Sequence, residues 1–214
     1  MARCTPGVCS GGDAYGPYYR HFMNSSVLQR KILSVSVEVE RETSIERDGL
    51  VRFLATVMWA GPGGDQEPRG VGSLTGWISR GLDGEFLWDL CDELSADAEC
   101  VGAIAREILN PNEDFFVMDV LLVDRMFLEP SWRGRRLTGA LVEEIMDLLG
   151  LNRDMSAVVL CPEPQSKRGG PFDLGPERDE AMQRLRLAYE ASGFRQWGES
   201  SCWWLPPEGV QLSE

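Results

Sequence analysis

The chain has 214 residues and a formal net charge of −13, which argues against nucleic-acid binding because proteins that bind phosphate backbones present basic surfaces. Hydrophobic residues make up 43% and charged residues 26%, proportions typical of a soluble globular protein. No apolar run approaches the ~20 residues that cross a bilayer, and the N-terminus lacks the apolar segment of a secretory signal. We therefore expect a cytoplasmic protein with no membrane partner.

Strand-like and helix-like residue patterns along the chain predict one domain over residues 31–207. Residues 1–30 are rich in Gly, Ser, Pro and Tyr without any period, which predicts a flexible N-terminal arm, and 208–214 form a short C-terminal tail. The six cysteines form no CxxC pair and His21 is the only histidine, so we predict no metal site, no histidine-based triad and reduced thiols.

The first half of the domain predicts antiparallel strands followed by helix. Leu33 to Glu40 alternate apolar and polar side chains, which indicates a half-buried strand. Two further strands are predicted, at 51–60 and about 70–79, joined by polar or glycine-rich turns. Residues 82–109 have helical character, with Ser95 as a plausible N-cap and Asn110-Pro111 as the end.

The centre of the chain, residues 117–149, predicts a strand that enters a helix through a short turn. The strand covers 117–128, the turn contains Arg133, Gly134, Arg135 and Arg136, and the helix starts near Leu137 and ends at Gly150. The free backbone N–H groups and the positive dipole end of such a helix bind anions, phosphate above all.

A strand at 155–161 and a helix at 176–192 follow, and the chain closes with a tryptophan-rich hairpin that turns at 198–200. A strand–helix–strand unit favours a parallel pair. The predicted fold is therefore of the α/β class, an α+β arrangement in which helices flank a central, mostly antiparallel twisted sheet.

Two segments resemble one known family. Pro130-x-x-Arg133-Gly134-x-x-x-x-Gly139-Ala140-Leu141 lies at the strand-to-helix turn, and Tyr189-Glu190-Ala191-Ser192-Gly193-Phe194 lies about fifty residues later. Together they resemble the GNAT superfamily of acyl-CoA-dependent N-acyltransferases over about residues 33–205. The resemblance implies a GNAT-like sheet whose strands 117–128 and 155–161 form a parallel, splayed pair.

The resemblance also implies a site and a reaction. Acetyl-CoA, or another acyl-CoA, would be the co-substrate, and the acceptor would be an amine of a small molecule or protein; the acidic charge favours a cationic one. The cofactor-binding residues would be Met126, Phe127 and Leu128 along the pantetheine arm, with the pyrophosphate on Arg133, Gly134, Arg135, Arg136, Leu137, Thr138 and Gly139. The sequence is compatible with a homodimer.

Two residues are catalytic candidates. Tyr189 would protonate the leaving thiolate, although a core aromatic is an equal alternative. Asp124 would accept the amine proton, with Glu129 and Asp119 as weaker candidates. Strand alternation places Asp124 on the face of Leu122 and Met126, and an ion pair with Arg125 is the alternative to catalysis.

Several positions depart from the family pattern. Arg136 and Thr138 stand where small residues are expected, so they either contact phosphate or obstruct it. Cys161 is the last residue of the second predicted parallel strand, where a buried structural cysteine is favoured over a nucleophile because no histidine is placed to activate it. The alternatives to an enzyme are a non-catalytic GNAT-like module that binds acyl-CoA or a protein, and an acidic interaction domain.

Overall fold

The computed structural model describes residues 33–40, 49–61, 67–110, 116–166, 170 and 172–210. The predicted arm, residues 1–30, lies outside the described residues, as does the predicted tail beyond residue 210.

The described residues form a seven-stranded mixed sheet with strand order β1-β2-β3-β4-β5-β7-β6. Every neighbouring pair is antiparallel except β4 and β5, which are parallel. This confirms the predicted α/β class and the mostly antiparallel sheet with one parallel pair. The strands are β1 Leu33–Glu40, β2 Leu50–Trp59, β3 Arg69–Ser79, β4 Asp119–Leu128, β5 Ser156–Leu160, β6 Arg195–Gln196 and β7 Trp203–Leu205.

Four α-helices flank this sheet within the described residues: α1 Gly84–Leu94, α2 Ala96–Leu109, α3 Thr138–Leu149 and α4 Pro176–Glu190. A short 3-10 helix, Pro130–Trp132, precedes α3. The segment 82–109 is thus two helices, because Ser95 ends α1 and caps α2, its hydroxyl accepting from Ala98 N at 3.1 Å. Gly150 ends α3 in the left-handed region at φ 68°, as predicted.

The two faces of the sheet bury two separate sets of apolar side chains. The first layer holds α3 and Tyr189 of α4 against residues such as Leu121 and Val123 of β4. The second layer holds α1 and α2 against Val120 and Leu122 of the same strand. Because successive strand residues face opposite sides, β4 contributes to both layers and is buried at its centre.

Candidate functional site

The N-terminus of α3 has backbone donors that precede the helical hydrogen-bond ladder and receive no capping side chain. The first helical hydrogen bond runs from Leu141 N to Leu137 O at 2.9 Å, so the N–H groups of Thr138, Gly139 and Ala140 precede the ladder. Leu137 stands at the cap position and supplies no side-chain hydrogen bond, and the first turn contains no acidic residue. Neither a capping side chain nor a first-turn carboxylate therefore compensates the positive dipole end of this helix.

The other described α-helices differ at the same position. Asp83 caps α1 by accepting from Phe86 N at 3.0 Å, and Ser95 caps α2. Helix α4 begins with Pro176 and carries Glu177 and Asp179 in its first turn. Among the four α-helices in the described part of the chain, only α3 lacks both a capping side chain and a first-turn carboxylate.

The turn before α3 is exposed and left-handed at two positions. Gly134 has φ 70° and Arg136 has φ 55°, and Arg136 is the only non-glycine residue with a positive φ among those described. Gly134, Arg135 and Arg136 are exposed, and the Arg135 guanidinium lies 4.8 Å from the centre of the Trp132 ring. The backbone at Arg136 thus has the conformation that favours glycine, which gives a physical reason for the small residue expected there.

The Arg133 side chain turns back toward the end of β4. Its Nε donates to Leu128 O at 2.7 Å, and its Nη1 donates to Gln165 O at 3.0 Å and to Ser166 O at 3.3 Å. The guanidinium also lies 5.4 Å from the centre of the Phe127 ring. Its Nη2 is buried without a hydrogen-bond partner in the described structure. Arg133 therefore joins β4 to the loop after β5, and the Leu128 carbonyl is already engaged.

The parallel strands stop pairing halfway along β4. Their last paired residues are Val123 and Leu160, after which β4 continues for five more residues, Asp124–Leu128. Met126, Phe127 and Leu128, the residues predicted to line the pantetheine arm, all lie in this continuation and are half-buried. Met126 and Leu128 pack against the first layer.

Asp124 is the extra residue of a β-bulge. Thr75 pairs with Arg125 and Gly76 with Val123, so Asp124 has no opposite residue on β3. The bulge shifts the alternation, because Leu122 belongs to the second layer whereas Met126 packs against the first. The prediction that Asp124 shares one face with both residues was therefore wrong: an inserted residue reverses the order of the faces.

The Asp124 carboxylate is partly accessible and has two polar neighbours. Thr75 Oγ1 donates to Asp124 Oδ2 at 3.4 Å, and Arg125 Nε lies 3.8 Å from the same oxygen. The carboxylate retains 21% of its side-chain exposure, whereas Arg125 is 71% exposed. The two weaker candidates are paired elsewhere, Glu129 with Arg69 at 2.9 Å and Asp119 with Arg80 at 4.0 Å.

Tyr189 lies in the first layer at the end of α4. Its ring packs edge-on against Phe194 at 5.4 Å and at a tilt against Trp203 at 6.5 Å. Burial raises the pKa of its hydroxyl to about 12, so the group is a weaker acid than an exposed tyrosine. The same end of α4 meets the start of α3, since a Cβ placed on Gly139 would lie 3.3 Å from Ser192 Cβ.

The cysteines form a cluster that the spacing along the chain did not predict. The sulfur atoms of Cys100, Cys161 and Cys202 lie within 4.8 Å of one another, and Cys161 and Cys202 form a disulfide. The expectation of reduced thiols is therefore wrong for this pair. Sequence reasoning missed the cluster because its members come from three separate elements rather than from one CxxC segment.

Comparison of the chain with family models, curated proteins and solved structures finds no match in any of the three. Within the parts of the chain that the structure covers, no helix combines the length and apolar character needed to cross a bilayer.

Proposed function

We propose that this protein is a GNAT-type N-acyltransferase that moves an acetyl or other acyl group from acyl-CoA to an amine. The observation that carries the proposal is the start of α3, where three backbone donors meet an uncompensated dipole beside the exposed Gly134–Arg136 turn. Such a surface favours an anion with several oxygens, and the pyrophosphate of coenzyme A has that chemistry.

The end of the β4–β5 pairing supports a place for the rest of the cofactor. An extended pantetheine arm would add to β4 beyond Val123, where the two strands no longer pair. Because Arg133 already occupies the Leu128 carbonyl, the backbone of Met126 is the better partner for the pantetheine amides. Phe127 and Arg133 would then border the arm on the side of the pyrophosphate.

The reaction would be direct transfer within a ternary complex. The amine nitrogen attacks the thioester carbonyl carbon, its proton passes to the Asp124 carboxylate directly or through water, and the carbon–sulfur bond breaks. The departing thiolate takes its proton from the Tyr189 hydroxyl, which is neutral at pH 7. The excess of carboxylates over cationic side chains favours a cationic amine as the acceptor.

A non-catalytic acyl-CoA-binding module is the second candidate. Two observations favour it: Tyr189 is only 5% exposed and packs between aromatic rings, and Asp124 has Arg125 as an ion-pair partner. In that case the α3 start and β4 would still bind the cofactor, but no amine would be acylated.

Thermal unfolding with and without acetyl-CoA tests both candidates. At 100 times its dissociation constant the ligand should stabilise the protein by about 2.7 kcal/mol, which raises the Tm of a chain of this size by roughly 5–11 °C. An unchanged Tm at millimolar acetyl-CoA would contradict both candidates.

A panel of amines, with release of free CoA thiol as the readout, then separates the enzyme from the module. In the enzyme, Tyr189→Phe should lower kcat by about 10²-fold or more while the affinity for acetyl-CoA changes little. An unchanged kcat would remove Tyr189 from the acid role, and no turnover with any amine would favour the module.

A further inference from the structure

Three sulfur atoms meet on the side of the sheet opposite Tyr189. Cys161 follows the last residue of β5 and Cys202 precedes the first residue of β7, so they continue the pairing of Leu160 with Trp203, and their Cα atoms are 4.4 Å apart. Cys100 comes from α2, and its Sγ lies 3.3 Å from the Sγ of each of the other two. We call these three residues the sulfur triangle.

The scaffold fixes the positions of the three sulfurs. Cys202 is fully buried in the second layer, against which Cys100 and Cys161 also pack. Its backbone N–H donates to Ser200 Oγ at 3.1 Å and its carbonyl accepts from Trp197 N at 3.0 Å. A helix, a strand end and a turn thus hold the thiols together without help from a flexible segment.

A disulfide between Cys161 and Cys202 uses only two of these sulfurs and leaves Cys100 in contact with both. When the disulfide is reduced, three thiols lie side by side in a partly buried environment. Zinc binds thiolates at about 2.3 Å, which places tetrahedral sulfurs about 3.8 Å apart. The Cys100 sulfur, now 3.3 Å from each of the other two, would move by about 0.5 Å, and the Cys161 and Cys202 sulfurs, which are bonded to each other in this structure, would separate by more than about 1 Å once reduced. Such a preformed group of soft ligands is the chemistry that thiophilic metal ions prefer.

We propose that the reduced sulfur triangle binds one thiophilic divalent metal ion of the zinc type through Cys100, Cys161 and Cys202. Binding releases the thiol protons as three metal–sulfur bonds form. Cys100 and Cys161 are only partly buried, and Ser201 Oγ lies 3.8 Å from Cys161 Sγ on the exposed side. The fourth coordination position therefore faces solvent, where a water molecule completes the tetrahedron.

Metal binding and the disulfide exclude each other. In the oxidised protein the Cys161–Cys202 bond occupies two of the three ligands, so only Cys100 is left and no ion is held. A reductant, such as a phosphine that does not itself provide a thiol, returns the two electrons and restores the site. The site is therefore tested in reduced protein.

The test uses the 214-residue chain with Cys4→Ser and Cys9→Ser, treated with a phosphine reductant. Titration with Cd²⁺ should give a thiolate-to-metal charge-transfer band that saturates at one equivalent, and Zn²⁺ should displace it. With Zn²⁺ bound, mass spectrometry after alkylation should find Cys100, Cys161 and Cys202 protected. Cys100→Ser should weaken Zn²⁺ binding at least about 100-fold, since loss of even an outer-shell partner costs 10–100-fold.

Cys91 provides the matched control. It is fully buried in the same layer, burial raises the pKa of its thiol to about 12, and it lies outside the triangle. Cys91→Ala should leave the affinity for Zn²⁺ unchanged. The proposal is overturned if no charge-transfer band forms, if Cys100→Ser binds Zn²⁺ as tightly as the parent, or if alkylation leaves Cys100 unprotected. None of these outcomes depends on acetyl-CoA binding.

Discussion

Placing a carboxylate at the start of α3 should change stability and cofactor affinity in opposite directions. Thr138 is the first helical residue, half-buried, and its N–H is one of the three that precede the helical ladder. In Thr138→Asp the new charge compensates the helix dipole, which should stabilise the free protein by about 0.3–1 kcal/mol. The same charge would stand beside the pyrophosphate proposed to bind there.

The size of the repulsion follows from Coulomb's law. Two unit charges about 6 Å apart interact by about 0.7 kcal/mol in water and about 2.8 kcal/mol at the effective dielectric constant of about 20 near a protein surface. Thr138→Asp should therefore weaken acetyl-CoA binding by about 3- to 100-fold. Calorimetric titration gives the affinity, and thermal unfolding of the free protein gives the stability.

Thr138→Asn is the control because it has similar size and no charge, and its affinity should stay within about threefold of the parent. An aspartate variant that binds acetyl-CoA as tightly as the asparagine variant would refute the placement of the pyrophosphate on α3. A variant that loses stability as well as affinity would show that the substitution disrupts the helix rather than repels the ligand.

Two further predictions concern stability. Arg136→Gly should raise the free energy of unfolding, measured in urea, by about 0.5–1 kcal/mol. The reason is that removing the left-handed backbone strain at Arg136 gains more than the unfolded chain gains from the greater conformational entropy of glycine. A lower free energy of unfolding in the variant would contradict backbone strain at this position. Burial raises the pKa of Cys91 from 9.0 and that of Tyr189 from 10.0 to about 12, so the stability they contribute is complete below pH 9 and is lost as pH rises through 12. In the double variant Cys91→Ala, Tyr189→Phe the urea midpoint should fall less steeply as pH rises from 9 to 12. If the midpoint of the double variant falls as steeply as that of the parent, these two residues are not the source of the pH dependence.

Local signals in the sequence were sufficient for most of the fold. Strict alternation in β1 predicted one apolar face, of which Leu33 and Val35 are buried while Val39 is 42% exposed. Gly150 predicted the end of α3 through its need for a left-handed backbone. Ser95 was predicted as a cap because a hydroxyl before an apolar stripe satisfies free N–H groups. These features depend on residues close in sequence, which is why single-sequence reasoning reached them.

Features that depend on contacts across the sheet could not be predicted from the sequence. The bulge at Asp124 exists only in the register between β3 and β4, and Gly76 fits there because a Cβ would lie 1.9 Å from Leu122 O. The sulfur triangle needs three elements to meet, and the return of Arg133 to Leu128 O needs a turn whose geometry no motif specifies. Periodicity records neighbours along the chain, whereas these contacts join residues far apart in it.

The bulge shows that the packing of β4 does not depend on Asp124. If residue 124 were deleted, Arg125 and Val123 would follow each other directly, and they would still face the consecutive residues Thr75 and Gly76. Met126 and Leu128 would remain in the layer of Leu121 and Val123, so the ladder would close and every apolar contact of β4 could persist. The sheet thus accommodates a carboxylate that its packing does not require, at the cost of an interrupted ladder. Because the fold could lose Asp124 without rearrangement, the presence of this residue points to a chemical role.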